Sequence, residues 1–216
     1  MSTGLFMSLQ YLQPFQVDPN RIDRQEIAKL VNKVSNNSKS SEIKGLFDLN
    51  ISLCAYFINA YIRYDEIYLL PTNLISNPDN RPDYICACYH EDKGISWYAV
   101  VFAGPQEQTW DEEMQLTSSA KSAFDRLNYC TSNLASIIVN NQLAEEVNPD
   151  RIHGLLIIGQ DTEFFHNRKK QERKRDINKN SPIKLRTYGA FLRNFQKEKS
   201  NSWLNTPVVD LLTRFK

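Results

Sequence analysis

Arg81-Pro82-Asp83-Tyr84-Ile85-Cys86-Ala87-Cys88-Tyr89-His90-Glu91-Asp92-Lys93-Gly94-Ile95-Ser96-Trp97-Tyr98-Ala99-Val100-Val101-Phe102-Ala103-Gly104-Pro105 is the stretch that decides the fold. Residues 84–89 and 95–103 are dominated by aromatic and β-branched side chains, which suit a pleated, half-buried surface. The five residues between them are polar and end in glycine, the composition of a hairpin loop. Gly104-Pro105 stops the second strand, because proline has no N–H to give to a ladder.

Working outward, the loop containing Trp110 leads to a helix over about Ser119 to Val139, with Ala120, Ala123, Phe124, Leu127, Leu134, Ile137 and Ile138 on its apolar side. Ile152 to Gly159 is a short apolar run, too short for an independent helix and suited to a buried strand. A charged helix over Glu163 to Asn178, a strand over Ile183 to Arg186 and a closing helix over Thr187 to Phe195 follow. Upstream, Asp23 followed by Glu26 and the periodic Ile27, Leu30, Val31 and Val34 reads as a capped amphipathic helix. The polar stretch Ser35 to Ser41 is a linker, and Glu42 to Ile62 reads as one largely buried helix with Asn50 in its interior. This order predicts an α/β fold, a mixed sheet flanked by helices, preceded by an N-terminal helical segment. The expected organisation is a helical extension over 1–40, an α/β core over 41–200 and a tail over 201–216.

A hydrophobic fraction of 41% with interspersed charge excludes both a disordered chain and a membrane span. No apolar run reaches the ~20 residues that a span needs, and residues 1–10 lack the basic start of a secretory leader. The expectation is therefore a cytoplasmic protein with no membrane partner and with Cys54, Cys86, Cys88 and Cys130 reduced. Net charge is only +1, but it is unevenly spread: residues 81–159 carry 5 basic and 11 acidic side chains, and residues 160–216 carry 14 and 6. Any polyanion contact is thus sought at the end of the chain.

The run Arg168-Lys169-Lys170-Gln171-Glu172-Arg173-Lys174-Arg175 is the candidate. On a helix its six cations can neutralise several phosphates, giving salt-sensitive binding with no sequence preference; the alternative is a solvated face. Cys86, Cys88 and His90 alternate along one strand and so share a face, but zinc needs a fourth ligand, and Cys86 and Cys88 read instead as small buried hydrophobes. Trp97 and Tyr98 read as core, whereas Trp110 and Trp203 lie in expected loops and could stack bases. With His90, His153 and His166 as the only imidazoles and no nucleophile elbow, a serine or cysteine hydrolase finds no support.

Several pieces, taken in order, resemble the nuclease domain of Shedu-type antiphage proteins, within the PD-(D/E)xK superfamily. They are Arg81-Pro82-Asp83-Tyr84-Ile85 before the hairpin, Phe102-Ala103-Gly104-Pro105 after it, Leu127-Asn128-Tyr129 in the helix, Gly154 to Gly159 before the basic helix, and Leu185-Arg186-Thr187-Tyr188 before the last helix. Together they span roughly the C-terminal two thirds of the chain. The resemblance implies a restriction-endonuclease-like fold in which an Asp opens one strand and an acid-x-Lys pair follows on the next, two carboxylates holding Mg²⁺ and the lysine orienting water. Asp83 takes the first place and is the candidate metal ligand. The acid and lysine places fall on Val101 and Ala103, which can neither bind a metal nor move a proton. Glu91 and Lys93 form a second acid-x-Lys sequence in the hairpin loop, and Glu42 is read as a first-turn acid or as an extra carboxylate of the site.

The expected function is accordingly a nuclease-fold protein of a prokaryotic defence or mobile-element system. It would bind nucleic acid or a partner subunit without cleavage, and needs no cofactor. The alternatives are an active endonuclease using Mg²⁺ with Asp83, Glu91 and Lys93 or with groups from another chain of a homo-oligomer, and a non-enzymatic interaction protein.

Overall fold

The computed structural model describes residues 9–201, with no side-chain detail beyond 196. In chain order the elements are β1 (Gln16–Val17), α1 (Arg24–Ser35), α2 (Ser40–Leu49), α3 (Ile51–Asn59), β2 (Glu66–Leu70), β3 (Tyr84–His90), β4 (Gly94–Phe102), α4 (Ser118–Asn140), β5 (Ile152–Ile157), α5 (Thr162–Phe165), α6 (Arg168–Asn180), β6 (Ile183–Arg186) and α7 (Tyr188–Asn201). The strands form one six-stranded sheet in sequence order. Pairing is antiparallel from β1 to β4 and parallel from β4 through β5 to β6. This is the mixed, helix-flanked α/β sheet expected of a restriction-endonuclease-like fold.

Strand alternation sorts the core into two layers. Ile85, Ala87, Trp97, Ala99, Val101, Leu156, Ile183 and Leu185 face α4 and pack on Ala123, Leu127 and Leu134. Cys86, Cys88, Val100, Phe102, Leu155 and Ile157 face the other way, toward α1, α2, α3 and α7. On that side Phe57 is the hub of an aromatic cluster, with Phe47, Phe102, Tyr188 and Phe191 at ring-centroid distances of 4.7–5.7 Å, within the range where tilted ring pairs attract. Gly154 lets α4 approach β5: a Cβ there would lie 2.9 Å from Ile183 Cγ1 and 3.4 Å from Leu127 Cβ.

The hairpin lies where the sequence puts it, with His90 opposite Gly94, and the strand over Ile183 to Arg186 matches residue for residue. The capping box at Asp23 and Glu26 is formed. Three expectations change. The helix over Glu42 to Ile62 is broken at Asn50, whose extended backbone ends α2 and whose side chain accepts Leu53 N–H at 3.2 Å to begin α3. The helix over Glu163 to Asn178 is likewise two helices, because Asn167 caps α6 by accepting Lys170 N–H at 3.0 Å. Strand β2 was not foreseen; five residues carry too short a pattern to be told from a helix end. Residues 9–40 are tied to the sheet: β1 pairs with β2, Leu12 joins the layer under α4, and Leu30, Val31 and Val34 join the opposite layer. Among the described residues, no helix is long and apolar enough to cross a membrane.

Candidate functional site at Asp83 and the basic helix

Asp83 stands at the entry to β3. The Arg81 guanidinium fixes the approach by donating to Ile75 O at 2.7 Å and Ser76 O at 3.2 Å, and Asp83 N–H starts the ladder on Val100 O at 2.8 Å. Its carboxylate is then engaged from three sides. Oδ2 accepts Phe102 N–H at 2.6 Å, while Oδ1 receives Lys44 Nζ of α2 at 3.0 Å and faces Arg126 Nη1 of α4 at 3.6 Å. One buried carboxylate therefore ties the end of β4 to a helix on each face of the sheet.

Tyr84 pairs with Val100, so Asp83, one residue earlier, is level with Val101 on the same face. Val101 is fully buried in the layer under α4, and Ala103 packs against that layer. The two places where the resemblance requires an acid and a lysine are thus hydrocarbon. Mg²⁺ takes an octahedron of oxygens and needs more than one carboxylate or phosphate to hold it. At Asp83 the partners are two cations and an amide N–H, so the residues present do not fit the ion. Among the described residues, no group of three or more His, Cys, Asp or Glu side chains is placed to hold a metal.

The hairpin pair does not reach this point. Glu91 and Lys93 sit at the turn beyond His90, with Glu91 N–H donating to the Asp65 carboxylate at 2.7 Å. The whole of β3 lies between them and Asp83, a separation of about 25 Å at ~3.3 Å per residue. Glu42 does not supply the missing acid either: it pairs with Lys33 of α1, whose hydrogen bond and charge hold its carboxyl below the usual range. Lys44, two residues further along α2, is the side chain that reaches Asp83.

The seven cations of α6 divide between two sides of the helix. Lys170 is buried; its Nζ donates to Trp110 O at 2.8 Å and lies 3.4 Å from Glu163 Oε1. Lys174, one turn on, rests 4.1 Å above the Phe164 ring, and burial, aided by the Arg186 charge, lowers its pKa to about 8. These two are therefore removed from the phosphate-facing set that the sequence suggested: an amphipathic helix must turn one side to the body, and here that side carries Lys170, Lys174 and Ile177. Arg168, Lys169, Arg173 and Arg175 are exposed, together with Lys179, Glu172 and Asp176. Arg168 pairs with Glu172 at 2.8 Å, and His166 is exposed just before the helix.

Glu163, which carried no sequence signal, anchors this region. It accepts Thr109 N–H at 2.9 and 3.1 Å and Trp110 N–H at 3.1 Å, tying the loop after β4 to the loop after β5. Gly159, in that second loop, has φ +65°, and a Cβ there would lie 2.6 Å from Glu107 O. Trp110 lies in the loop after β4, as the sequence suggested, but is buried edge-on to Phe164 and so offers no ring for base stacking. Cys86 and Cys88 are buried between β3 and the helices with their thiol pKa values pushed up by desolvation, as small core residues. Trp203 lies outside the described residues. Lys44 and Arg126 were invisible in the sequence because nothing local marks a lone lysine or arginine as the partner of a residue some 40 positions away. No protein-family model matches the chain, and no curated protein matches its sequence.

Proposed function

We propose that this chain is a Shedu-like, nuclease-fold protein of a prokaryotic defence or mobile-element system that binds nucleic acid and does not cleave it. The observation that carries the reading is the engagement of Asp83 by Lys44, Arg126 and Phe102 N–H. An ammonium and a guanidinium stand where metal-dependent hydrolysis needs a divalent ion, and Val101 and Ala103 supply neither a second carboxylate nor a base. The binding half of the reading rests on α6. Its five exposed cations against two exposed carboxylates leave a net charge of +3 on one short helix, enough for a few phosphate contacts.

The test has two arms. Incubation with supercoiled plasmid and Mg²⁺ or Mn²⁺ is expected to leave the plasmid intact; nicking that disappears in Asp83→Ala would show the site to be catalytic. Affinity for labelled duplex DNA, read by anisotropy, is expected to fall with log[salt] with a slope between about −2 and −4, at ~0.9 per phosphate contact. Binding that is absent, or indifferent to reversal of Lys169, Arg173 and Arg175, sinks the nucleic-acid reading and favours a purely protein partner.

A further inference from the structure

The loop from Trp110 to Leu116 is closed on itself and fastened to α6. Trp110 and Leu116 form an isolated antiparallel bridge, Asp111 N–H donates to Gln115 O at 3.0 Å, and the Asp111 carboxylate accepts Gln115 N–H at 2.8 Å. At its turn Met114 has φ +66°, a left-handed conformation that a non-glycine residue keeps only when its surroundings hold it there. The basic helix does the holding. Lys170 donates to Trp110 O at 2.8 Å, and Arg173 Nη1 donates to Met114 O. Both bonds go to carbonyls of the loop. Asp111, Glu112 and Glu113, in the same loop, are exposed.

We infer that residues 111–113 form an electrostatic guard on the basic helix, an autoinhibitory contact that weakens polyanion binding along its Lys169–Arg173 side. This rests on the nucleic-acid reading above for its biological meaning, but not for its physics. Three negative charges sit on a loop that is fastened to a surface of net charge +3, and Glu113 immediately precedes Met114, whose carbonyl Arg173 grips. A phosphate approaching Arg173 comes within about one Debye length, ~10 Å, of the loop that carries these carboxylates. Helical spacing puts Arg168, Arg175 and Lys179 on a separate column from Lys169 and Arg173. A backbone is therefore steered toward the Arg168–Arg175–Lys179 column.

The experiment compares two variants with the same change in net charge. Glu112→Gln with Glu113→Gln neutralises the guard. Glu145→Gln with Glu146→Gln neutralises two exposed acids beyond the far end of α4, about 35 Å away at ~1.5 Å per residue. All four positions are on the surface, so both proteins should fold. The guard variant is expected to bind labelled DNA about 3- to 10-fold more tightly than wild type at low salt, the gain shrinking as salt rises, and the control to change by less than about 2-fold. Where wild type binds DNA, equal gains in both variants, or none in either, overturn the guard. Salt elution from immobilised heparin separates the two ideas. Later elution of the guard variant alone, with no DNA binding by any form, upholds the guard and removes the nucleic-acid reading; unchanged elution removes the guard whatever the DNA result.

Discussion

Replacing Asp83 distinguishes a structural anchor from a metal ligand by stability alone. In Asp83→Ala, Phe102 N–H loses its acceptor in a buried setting, which costs about 1–3 kcal/mol. Lys44 and Arg126 lose their shared counter-ion, but their side chains are 33% and 25% exposed, so solvent screening limits that part to about 1 kcal/mol. The expected loss is about 3 kcal/mol, a fall in Tm of roughly 6–12 °C for a chain of this size. Asp83→Asn keeps a carbonyl for Phe102 N–H and gives up only the charge, so it should lose about 1 kcal/mol. A carboxylate kept for a metal behaves oppositely: its removal relieves unpaired charge, and millimolar Mg²⁺ stabilises the wild type by mass action. Urea midpoints and thermal melts of the three proteins, with and without Mg²⁺, make the measurement. An Asp83→Ala protein within ~0.5 kcal/mol of wild type, or a clear Mg²⁺ stabilisation that Asp83→Asn abolishes, refutes the anchor.

Lys170→Met should cost about 2–3 kcal/mol in urea unfolding, since it unpairs the Trp110 carbonyl and the buried Glu163, whereas Lys169→Met should stay within ~0.5 kcal/mol and act only on binding. Lys174, its pKa lowered to about 8 by burial, binds its proton less tightly in the native state than in the unfolded chain, where lysine titrates near ~10.4. Between those values the unfolded state holds more protons at this group, so Lys174 by itself makes stability rise with pH across about 8 to 10. The buried thiols of Cys54, Cys86, Cys88 and Cys130, pushed up by desolvation, act in the opposite direction over the same window, so the Lys174 part is read as a difference: the urea midpoint of wild type relative to Lys174→Met should be higher at pH ~10 than at pH ~8. Gly159→Ala must hold φ +65° against Glu107 O and should lose about 2 kcal/mol or more, while Gly45→Ala, with nothing within 4 Å of the new Cβ in the interior of α2, should gain up to ~1 kcal/mol. Thermal melts of the two, run together, check the opposite signs.

What the sequence revealed and what it hid follow from range. The hairpin, the long helix and the parallel strands were legible because alternation, 3.6-residue periodicity and a Gly-Pro stop are local properties of a few consecutive residues. The breaks at Asn50 and Asn167 were hidden by the same logic. An asparagine inside an apolar or charged run is either an ill-suited helix residue or the cap of a new helix, and only packing chooses between them. The basic run was legible as charge but not as direction. Which cations turn inward depends on Trp110, Glu163 and Phe164, none of which lies within the run.

The same distinction bears on Asp83. Its position at the head of a strand is a local fact, and an acid there has a mechanical use that needs no chemistry. Asp83 N–H and its carboxylate bond to Val100 O and Phe102 N–H, groups two residues apart on β4, and so close the open end of the β3–β4 ladder. In a metal enzyme the outer oxygen is left for the ion; here Lys44 and Arg126 take it and draw a helix onto each face of the sheet. An acid at the head of β3 is thus accounted for by stability alone, because removing it would unpair Phe102 N–H and two cations at once. Asp83 at this position is then what stability demands, and it says nothing in favour of cleavage.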